Sequence, residues 1–358
     1  MTALQNRADY RLSLEGRDLG LGAPNTFSDI LREKFLETIS PRLISLTLRE
    51  VRGGEADQLD LVLHDHDGAL DIPKPGAVLS LALGWAAGPD VERGLIDKGR
   101  FKVDEASWEG PPDIVTIRAR SADFAASFDK RRERSHVKTT VGAIVRDIAG
   151  TNGLAPKIAA ELASIEIDAL EQDEMSDAAM LRSLGRRYDA AATVKNGTLL
   201  FLPVGSAGGG AISAGTLTRR SGDRYRYSRG ERGQFAGAEA RWHDKKTGER
   251  KTVVIESVRG ASGNDEASRG PKRLKRVYAS EKSAQEAARS SAAKMKRAQA
   301  EFEIDLALGR PELYPERPMA LSGFKPEIDA RSWLISEAEH SLTADGGLGT
   351  KLKLEAKS

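Results

Sequence analysis

Apolar and polar residues alternate at period two through much of the first third of the chain, the spacing of strands that bury one face. Leu43-Ile-Ser-Leu-Thr-Leu48 and Leu59-Asp-Leu-Val-Leu63 are two such runs, joined by the turn-rich Arg52-Gly-Gly-Glu-Ala-Asp57. Pro73-Lys-Pro-Gly76 then punctuates the chain before a further strand, Val78-Leu-Ser-Leu-Ala-Leu83. Only Phe27 to Ile39 predicts a helix here, with Ser28 as N-cap and Ile30, Leu31, Phe35 and Ile39 apolar.

The texture changes near residue 122. Thr140 can cap a helix whose Val141, Ile144, Val145 and Ile148 share one face, ended by Gly150 to Gly153. A second helix is expected from Ser176, with Met180, Leu181 and Leu184 inward. Ala192 to Lys195 and Thr198 to Phe201, joined by Asn196-Gly197, predict a hairpin, because Asn-Gly supplies the positive φ angles of a type I′ turn. Residues 205–235 are rich in Gly, Ser and Arg and read as a linker or surface excursion. Strands resume at Ala236 to Trp242 and Lys251 to Val258, followed by a polar loop over 259–272. Ser283-Ala-Gln-Glu286 has capping-box spacing and opens an Ala-rich helix to about Ala300, which should pack thinly on a sheet.

The end of the chain repeats an earlier pattern. Phe101-Lys-Val-Asp-Glu-Ala-Ser-Trp108, a Gly/Pro turn and Ile114-Val-Thr-Ile-Arg-Ala-Arg-Ser121 find an echo in Trp333-Leu-Ile-Ser-Glu-Ala-Glu-His340, a Gly-rich turn and Lys351-Leu-Lys-Leu-Glu-Ala-Lys-Ser358. Apolar positions keep step in both copies, as two versions of one half-buried hairpin would. Such a doubling lets an oligomer present twice as many similar faces as it has subunits.

Composition narrows the classes. At 358 residues the chain exceeds one ordinary core, so two to four compact units are expected. No apolar run is long enough to span a bilayer, and the start lacks the apolar stretch of a signal peptide. With no cysteine, disulfides, thiolate catalysis and Cys-based zinc sites are excluded, which fits assembly in a reducing cytoplasm. A formal net charge of +2 gives no overall pull toward nucleic acid or membrane.

Chemistry-bearing motifs are few. His64-Asp-His-Asp67 is the sharpest metal candidate, since residues two apart on a strand point the same way, but it runs into Gly68 without a visible third ligand, and a solvated turn is the expected structure. His136, His243 and His340 stand alone. Gly205-Ser-Ala-Gly-Gly-Gly210 lacks the Lys-Ser/Thr that follows a phosphate-binding loop. Arg219-Arg220, Arg224-Tyr-Arg-Tyr227, Arg229, Arg232 and Lys245-Lys246 interleave cations with aromatics as nucleic-acid surfaces do, with Lys272-Arg-Leu-Lys-Arg276 a second cluster. Asp223, Glu231, Glu239 and Glu249 balance that charge, so a protein-facing or lumen-facing surface is expected instead. Glu161, Glu171 and Glu174 would be the acids if the middle unit were a peptidoglycan-cutting enzyme, but no paired carboxylates in a cleft are evident. No catalytic residue, cofactor or metal is expected.

Several stretches together resemble the phage late control D family, the baseplate hub proteins of contractile-tailed phages. They are Gly99-Arg-Phe-Lys-Val-Asp-Glu105, Pro112 to Phe124, Thr140 to Ala149, Glu174-Met-Ser-Asp177, Leu184-Gly-Arg-Arg187 and Val194 to Phe201. Toward the end come Gly309-Arg-Pro-Glu-Leu313, Gly323 to Ala330, Trp333, His340, Gly346-Gly347, Thr350 and Leu352 to Glu355. The stretch through Pro24 agrees only loosely, which leaves its part in docking open. The resemblance implies a β-dominated α+β fold with two tail-tube-like antiparallel β-barrel domains, a small α/β domain and a connecting β/helix region. On the chain these fall at 1–121 (first tube-like domain), 122–205 (α/β), 206–280 (Gly/Arg-rich linker and β region) and 281–358 (helix and second tube-like domain).

The same resemblance implies a homotrimeric hub joining a hexameric tail tube to a trimeric spike, with other baseplate proteins around it. DNA and tape-measure protein would pass through its channel, and no membrane anchor is expected. The place implied is the virion tail baseplate, assembled in the bacterial host cytoplasm. Trp108, Gly309, Pro311, Gly323, Trp333, His340 and Thr350 are the structural or ring-interface candidates. The related spike proteins of type VI secretion share the hub fold but continue into a needle, and the absence of a needle repeat leads to the expectation of a separate spike polypeptide. The hub portion of a secretion spike and a DNA-binding regulator stay as alternatives, although nothing supplies a recognition helix for the latter.

Overall fold

The computed structural model describes residues 6–14, 17–18, 42–53, 56–121, 128, 130–195, 197–206, 214–230, 235, 237–244, 247–256, 270–343 and 347–357. The helix expected over Phe27 to Ile39, most of the loop at 259–272, and Asn196, Glu231, Arg232, Lys245, Lys246 and Gly346 lie outside these residues.

Seven strands build the first β unit: β1 (Arg7–Leu14), β2 (Arg17–Asp18), β3 (Leu43–Val51), β4 (Gln58–His64), β5 (Val78–Ala87), β6 (Gly94–Glu109) and β7 (Ile114–Ser121). They lie antiparallel in the order β3-β4-β7-β6-β5-β1-β2. The period-two runs do what their spacing dictates. Leu46 and Leu48 of β3, Leu59, Leu61 and Leu63 of β4, and Leu79, Leu81 and Leu83 of β5 all enter one core with Phe101 and Val115. Each such side chain contributes about 1.5–3 kcal/mol on burial.

The α/β unit runs β8 (Arg131–Thr140), α1 (Val141–Thr151), β9 (Ala155–Ile158), α2 (Ala160–Ala163), β10 (Glu166–Ser176), α3 (Asp177–Tyr188), β11 (Ala190–Lys195) and β12 (Thr198–Pro203). Thr140 caps α1 by accepting from the Ala143 N–H at 3.2 Å, and Ser176 caps α3 by accepting from Ala179 N–H at 3.2 Å. The faces carrying Ile144, Val145 and Ile148 and Met180, Leu181 and Leu184 are buried together. The expected hairpin is β11–β12, in register at Thr193 and Leu200, with Gly197 at φ +70° in its turn.

Next come β13 (Gly215–Thr218) and β14 (Arg224–Arg229), then β15 (Gly237–His243), β16 (Arg250–Glu256) and β17 (Lys272–Tyr278), then α4 (Glu281–Arg297). Strands β16-β15-β17 form a sheet of their own, and α4 lies on it through Ala284, Ala288, Ala292 and Met295 against Ala238 and Ala240. The thin Ala face therefore packs as its sequence requires. The capping box sits one turn earlier than its expected start, because Ser280 rather than Ser283 is the N-cap and Ser283 is the N3 partner.

The last β unit contains β18 (Ala300–Leu306), β19 (Pro318–Ser322), α5 (Pro326–Asp329), β20 (Ser332–Thr343) and β21 (Gly347–Ala356). It draws β13 and β14 into the order β14-β18-β21-β20, with β19 beside the start of β20 and β13 beside β19. Thus two short strands from the Gly- and Arg-rich stretch are parts of this sheet. Phe302, Ile304, Trp333, Ile335, Leu352 and Leu354 form its core.

The doubled hairpin is present, and it extends beyond the hairpin. Strands β3-β4-β7-β6 and β14-β18-β21-β20 have the same order and the same antiparallel register at every position both copies share. A register shift after Val103 in β6 recurs after Ile335 in β20. Phe101 matches Trp333 and Trp108 matches His340, as the sequence echo has it, whereas Ile114 to Ser121 match Gly349 to Ala356. That is two residues from the alignment read in sequence, and an even slip leaves every side chain on the same face, so alternation alone could not detect it.

Candidate functional site

The two β units meet along one strand. The first residues of β20 pair with β19, but from Glu337 to Thr343 the same edge pairs with β3, Glu337 opposite Val51 and Thr343 opposite Ser45. One thirteen-stranded sheet results, running from β14 to β2. The tip of the last hairpin, Leu342 and Leu348, is buried in the first unit's core.

A buried polar cluster fastens this seam. Lys98 of β6 donates to Glu50 Oε2 at 2.6 Å and to the Pro311 carbonyl at 3.0 Å. Glu50 lies at the end of β3, and its side chain is only 6% exposed, so its charge requires that partner. His340 is fully buried, its Nδ1 2.9 Å from Thr350 Oγ1 and its Nε2 3.2 Å from the Leu313 carbonyl and 3.2 Å from Glu50 Oε2. Nε2 also lies 3.3 Å from Lys98 Nζ, but Thr350 Oγ1 already accepts from the Arg310 N–H, so its hydroxyl donates to Nδ1 and the imidazole proton sits on Nε2, toward the two oxygens. Burial lowers the His340 pKa, opposed by the Glu50 hydrogen bond and assisted by the Lys98 charge, so the ring is neutral. The loop between β18 and β19 is held by the same cluster. Thr350 Oγ1 accepts from Arg310 N–H at 2.9 Å, Gly309 N–H donates to Leu348 O at 2.7 Å, and Trp85 Nε1 donates to Gly309 O at 2.9 Å.

Gly309, Pro311, His340 and Thr350 therefore gather at the seam. Trp333 is fully buried in the second core. Gly323 (φ +88°) makes a tight corner after β19, its N–H donating to Asp329 Oδ2 at 3.0 Å. Trp108 is 52% exposed near the end of β6, its Nε1 donating to Asp65 Oδ2 at 3.1 Å. Glu50 and Lys98 were not singled out in sequence. The signal for Glu50 was its phase: it follows Leu46 and Leu48 on the inward face of β3, where a carboxylate needs a partner.

A second junction ties the α/β unit and α4 to the sheet. Arg52 pairs with Glu316 and Glu355, and Arg297, 5% exposed, pairs with Asp189 and with Glu355 at 3.0 Å. Glu316 accepts from Gly205 N–H at 2.6 Å, while burial raises its pKa against the pull of Arg52.

The other candidates take ordinary places. His64 and His66 are exposed, and Asp65 organises the turn by accepting from Leu70 N–H at 3.0 Å while Asp67 pairs with Arg42 at 2.5 Å. That pairing and the Ala69 N–H hold the Asp67 carboxyl far below the usual range. Among the described residues, no three His, Asp or Glu side chains gather as a metal site requires. Glu161 on α2 and Glu171 and Glu174 on β10 are all exposed. Of the Arg/Tyr stretch, Tyr225 stacks edge-on to Phe324 at 5.0 Å and Tyr227 lies edge-on to Trp333 at 6.3 Å, so these rings cover the second core.

A duplicated β unit fused into one sheet, with an α/β unit hung on its side, is the architecture of a phage tail hub. The chain belongs to the phage tail baseplate hub family (GPD), whose pattern matches residues 38–346. It is 39% identical to the probable baseplate hub protein of Escherichia phage 186 over 94% of this chain and 93% of that protein. It is 37% identical to the counterpart in Escherichia phage P2, over 98% and 93%. In fold it is similar to the 43 kDa tail protein of prophage MuSo2 from Shewanella oneidensis, with a TM-score of 0.62, 11% identity and 97% and 98% of the two chains covered. Its function is that of a baseplate hub, a component of the tail baseplate.

Proposed function

We propose that three copies of this chain close a ring that adapts a hexameric tail tube to a trimeric spike. The observation that carries this reading is the doubling itself: two four-strand units with one register and one bulge, fused edge to edge. Three such chains offer six near-equivalent units to the tube and three distinct faces to the spike. The tail tube protein, the spike and further baseplate proteins are the partners, and DNA and tape-measure protein pass through the central channel. Assembly takes place in the host cytoplasm, and the role is structural rather than catalytic. The α/β unit and the β15–β17 sheet with α4 form the outer part of each protomer.

Co-expression with the trimeric spike protein of the same tail tests the reading. Light scattering on the purified complex is expected to give three hub chains per spike trimer. A stoichiometry of one or six hub chains per trimer overturns it, and a clearing band from the hub alone on a cell-wall gel overturns the non-catalytic assignment.

A further inference from the structure

Where the first β unit, the α/β unit and α4 meet, the junction through Arg52 and Arg297 surrounds a cavity of about 310 Å³. Its walls carry five cations: Arg52 just after β3, Arg182 and Arg186 of α3, and Lys294 and Arg297 of α4. Two acids line it, and both are already engaged. Asp189 pairs with Arg297, and Glu355 pairs with Arg52 and Arg297. Even with Glu316, which pairs with Arg52 from outside the lining, cations outnumber acids five to three. Arg182 and Arg186 are exposed, and neither side chain makes an ion pair among the described residues. Arg52 Nη2 is buried with no hydrogen-bond partner among the described residues. Lys294 is fixed at the wall by donating to the Arg186 carbonyl. Burial lowers its pKa, with the Arg297 and Arg186 charges adding to the effect and Asp189 opposing it. Walls that repel one another in this way are stabilised by an anion between them.

We infer that this cavity binds a small oxyanion of the phosphate class, as the free ion or as a monoester. The backbone fixes its shape. A Cβ on Gly53 would come within 3.0 Å of Ala192 N and 3.1 Å of Ala191 Cα, and one on Gly185 within 2.6 Å of Ala190 O. The turn after β3 and the end of α3 therefore both rest directly on β11, and the cations project from a rigid frame. Guanidinium groups offer paired N–H donors that match two oxygens of a tetrahedral anion, and the lysine adds a point charge. The uncharged lining is Gly53, Gly185, Ala190, Ala191, Ala192 and Val204. None of these has a ring on which a base could stack, so charge and oxygen geometry, rather than a nucleobase, decide recognition. The five cations come from three parts of the chain, so one ligand ties α3 and α4 to the end of β3. Occupancy thereby stiffens the junction between the α/β unit and the large sheet. The site does not depend on the ring reading and stands or falls apart from it.

Calorimetric titration of the full-length protein with sodium phosphate, at an ionic strength held constant with sodium chloride, tests the site. Saturable binding with a Kd of about 1 mM or tighter is expected. The thermal midpoint should rise by about 2 °C or more at saturation. Arg182→Ala/Arg186→Ala is expected to weaken binding about tenfold or more, and Arg182→Lys/Arg186→Lys to weaken it less. Both positions are exposed, and unchanged urea midpoints without phosphate verify that these variants fold. Arg273→Ala/Lys275→Ala, in the exposed basic stretch of β17, controls for general salt effects and is expected to bind as the native chain does. Glycerol phosphate separates the two sources: tighter binding of the ester assigns a phosphorylated metabolite, and tighter binding of inorganic phosphate assigns the free ion. Equal binding by the native chain and Arg182→Ala/Arg186→Ala overturns the site, as does a thermal shift that sodium chloride alone reproduces. A short single-stranded oligonucleotide that binds where neither small anion does overturns the small-oxyanion assignment in favour of a nucleic-acid backbone.

Discussion

The Nε2 atom of His340 lies 3.2 Å from a carboxylate oxygen of Glu50, and between them these two residues join the last β unit to the first. Burial holds the His340 pKa below its ordinary value, with Lys98 assisting and Glu50 and the Leu313 carbonyl opposing. In the unfolded chain the imidazole takes up a proton near pH 6.5, where the folded protein does not. The contribution of this group is therefore full above that pH and is lost as pH falls toward the lower, folded value. Urea midpoints measured between about pH 7.5 and 5.5 should drop more steeply for the native chain than for His340→Gln, because the carboxylates titrate mostly below this window. Parallel slopes would show that His340 is not the group responsible.

Lys98 and Glu50 make a different prediction. Their side chains are 4% and 6% exposed, so removing one strands the other's charge. Lys98→Ala should cost about 3–5 kcal/mol in equilibrium unfolding, while Lys98→Met combined with Glu50→Leu should cost far less than either charge-stranding variant. Additive losses in the double variant would mean the pair is not the source of the penalty.

Trp333 and Trp108 carry nearly the same sequence signal and have opposite structural fates. Trp333 fills the second core, donating to the Ile328 carbonyl at 3.1 Å, and Trp333→Ala should cost about 3–5 kcal/mol. Trp108 is half exposed and makes one hydrogen bond to Asp65, so Trp108→Ala should cost about 1 kcal/mol in the isolated chain. A large loss at Trp108 in dilute protein would place it in the core of the single chain.

Local chemistry made much of this fold legible. Thr140 and Ser176 cap helices because a hydroxyl before an apolar stripe has an N–H to satisfy, and the alternating leucines of β3, β4 and β5 had one possible burial face. The repeat was legible as a hairpin but not as a four-strand unit. Tyr225 and Tyr227 stand where Leu46 and Leu48 stand in the first copy, and aromatic-cationic alternation resembles a nucleic-acid surface as much as an edge strand. Which charges cross the seam was illegible for another reason. Glu50 and Lys98 are 48 residues apart in sequence, and nothing local to either indicates the partner.

Gly309 offers a final test of how tightly the seam is built. A Cβ there would sit 2.7 Å from both Leu348 Cγ and Leu348 O, the second of these an atom the backbone cannot move aside cheaply. Retreat of the loop is blocked on both sides, since Gly309 N–H is bonded to Leu348 O and its carbonyl accepts from Trp85 Nε1. Gly309→Ala should therefore destabilise the chain by about 1–3 kcal/mol and speed amide exchange across 309–313, where Lys98 and His340 hold the carbonyls of Pro311 and Leu313. Gly150, in the last turn of α1 with nothing within 4 Å of its added Cβ, is the opposing control. There the same substitution should stabilise by about 0.5–1 kcal/mol, because Ala loses less backbone freedom in a helix. Chemical denaturation of the two variants side by side reads both signs. A neutral Gly309→Ala would mean that the loop and the hairpin tip can part, so that the seam is a contact rather than a weld.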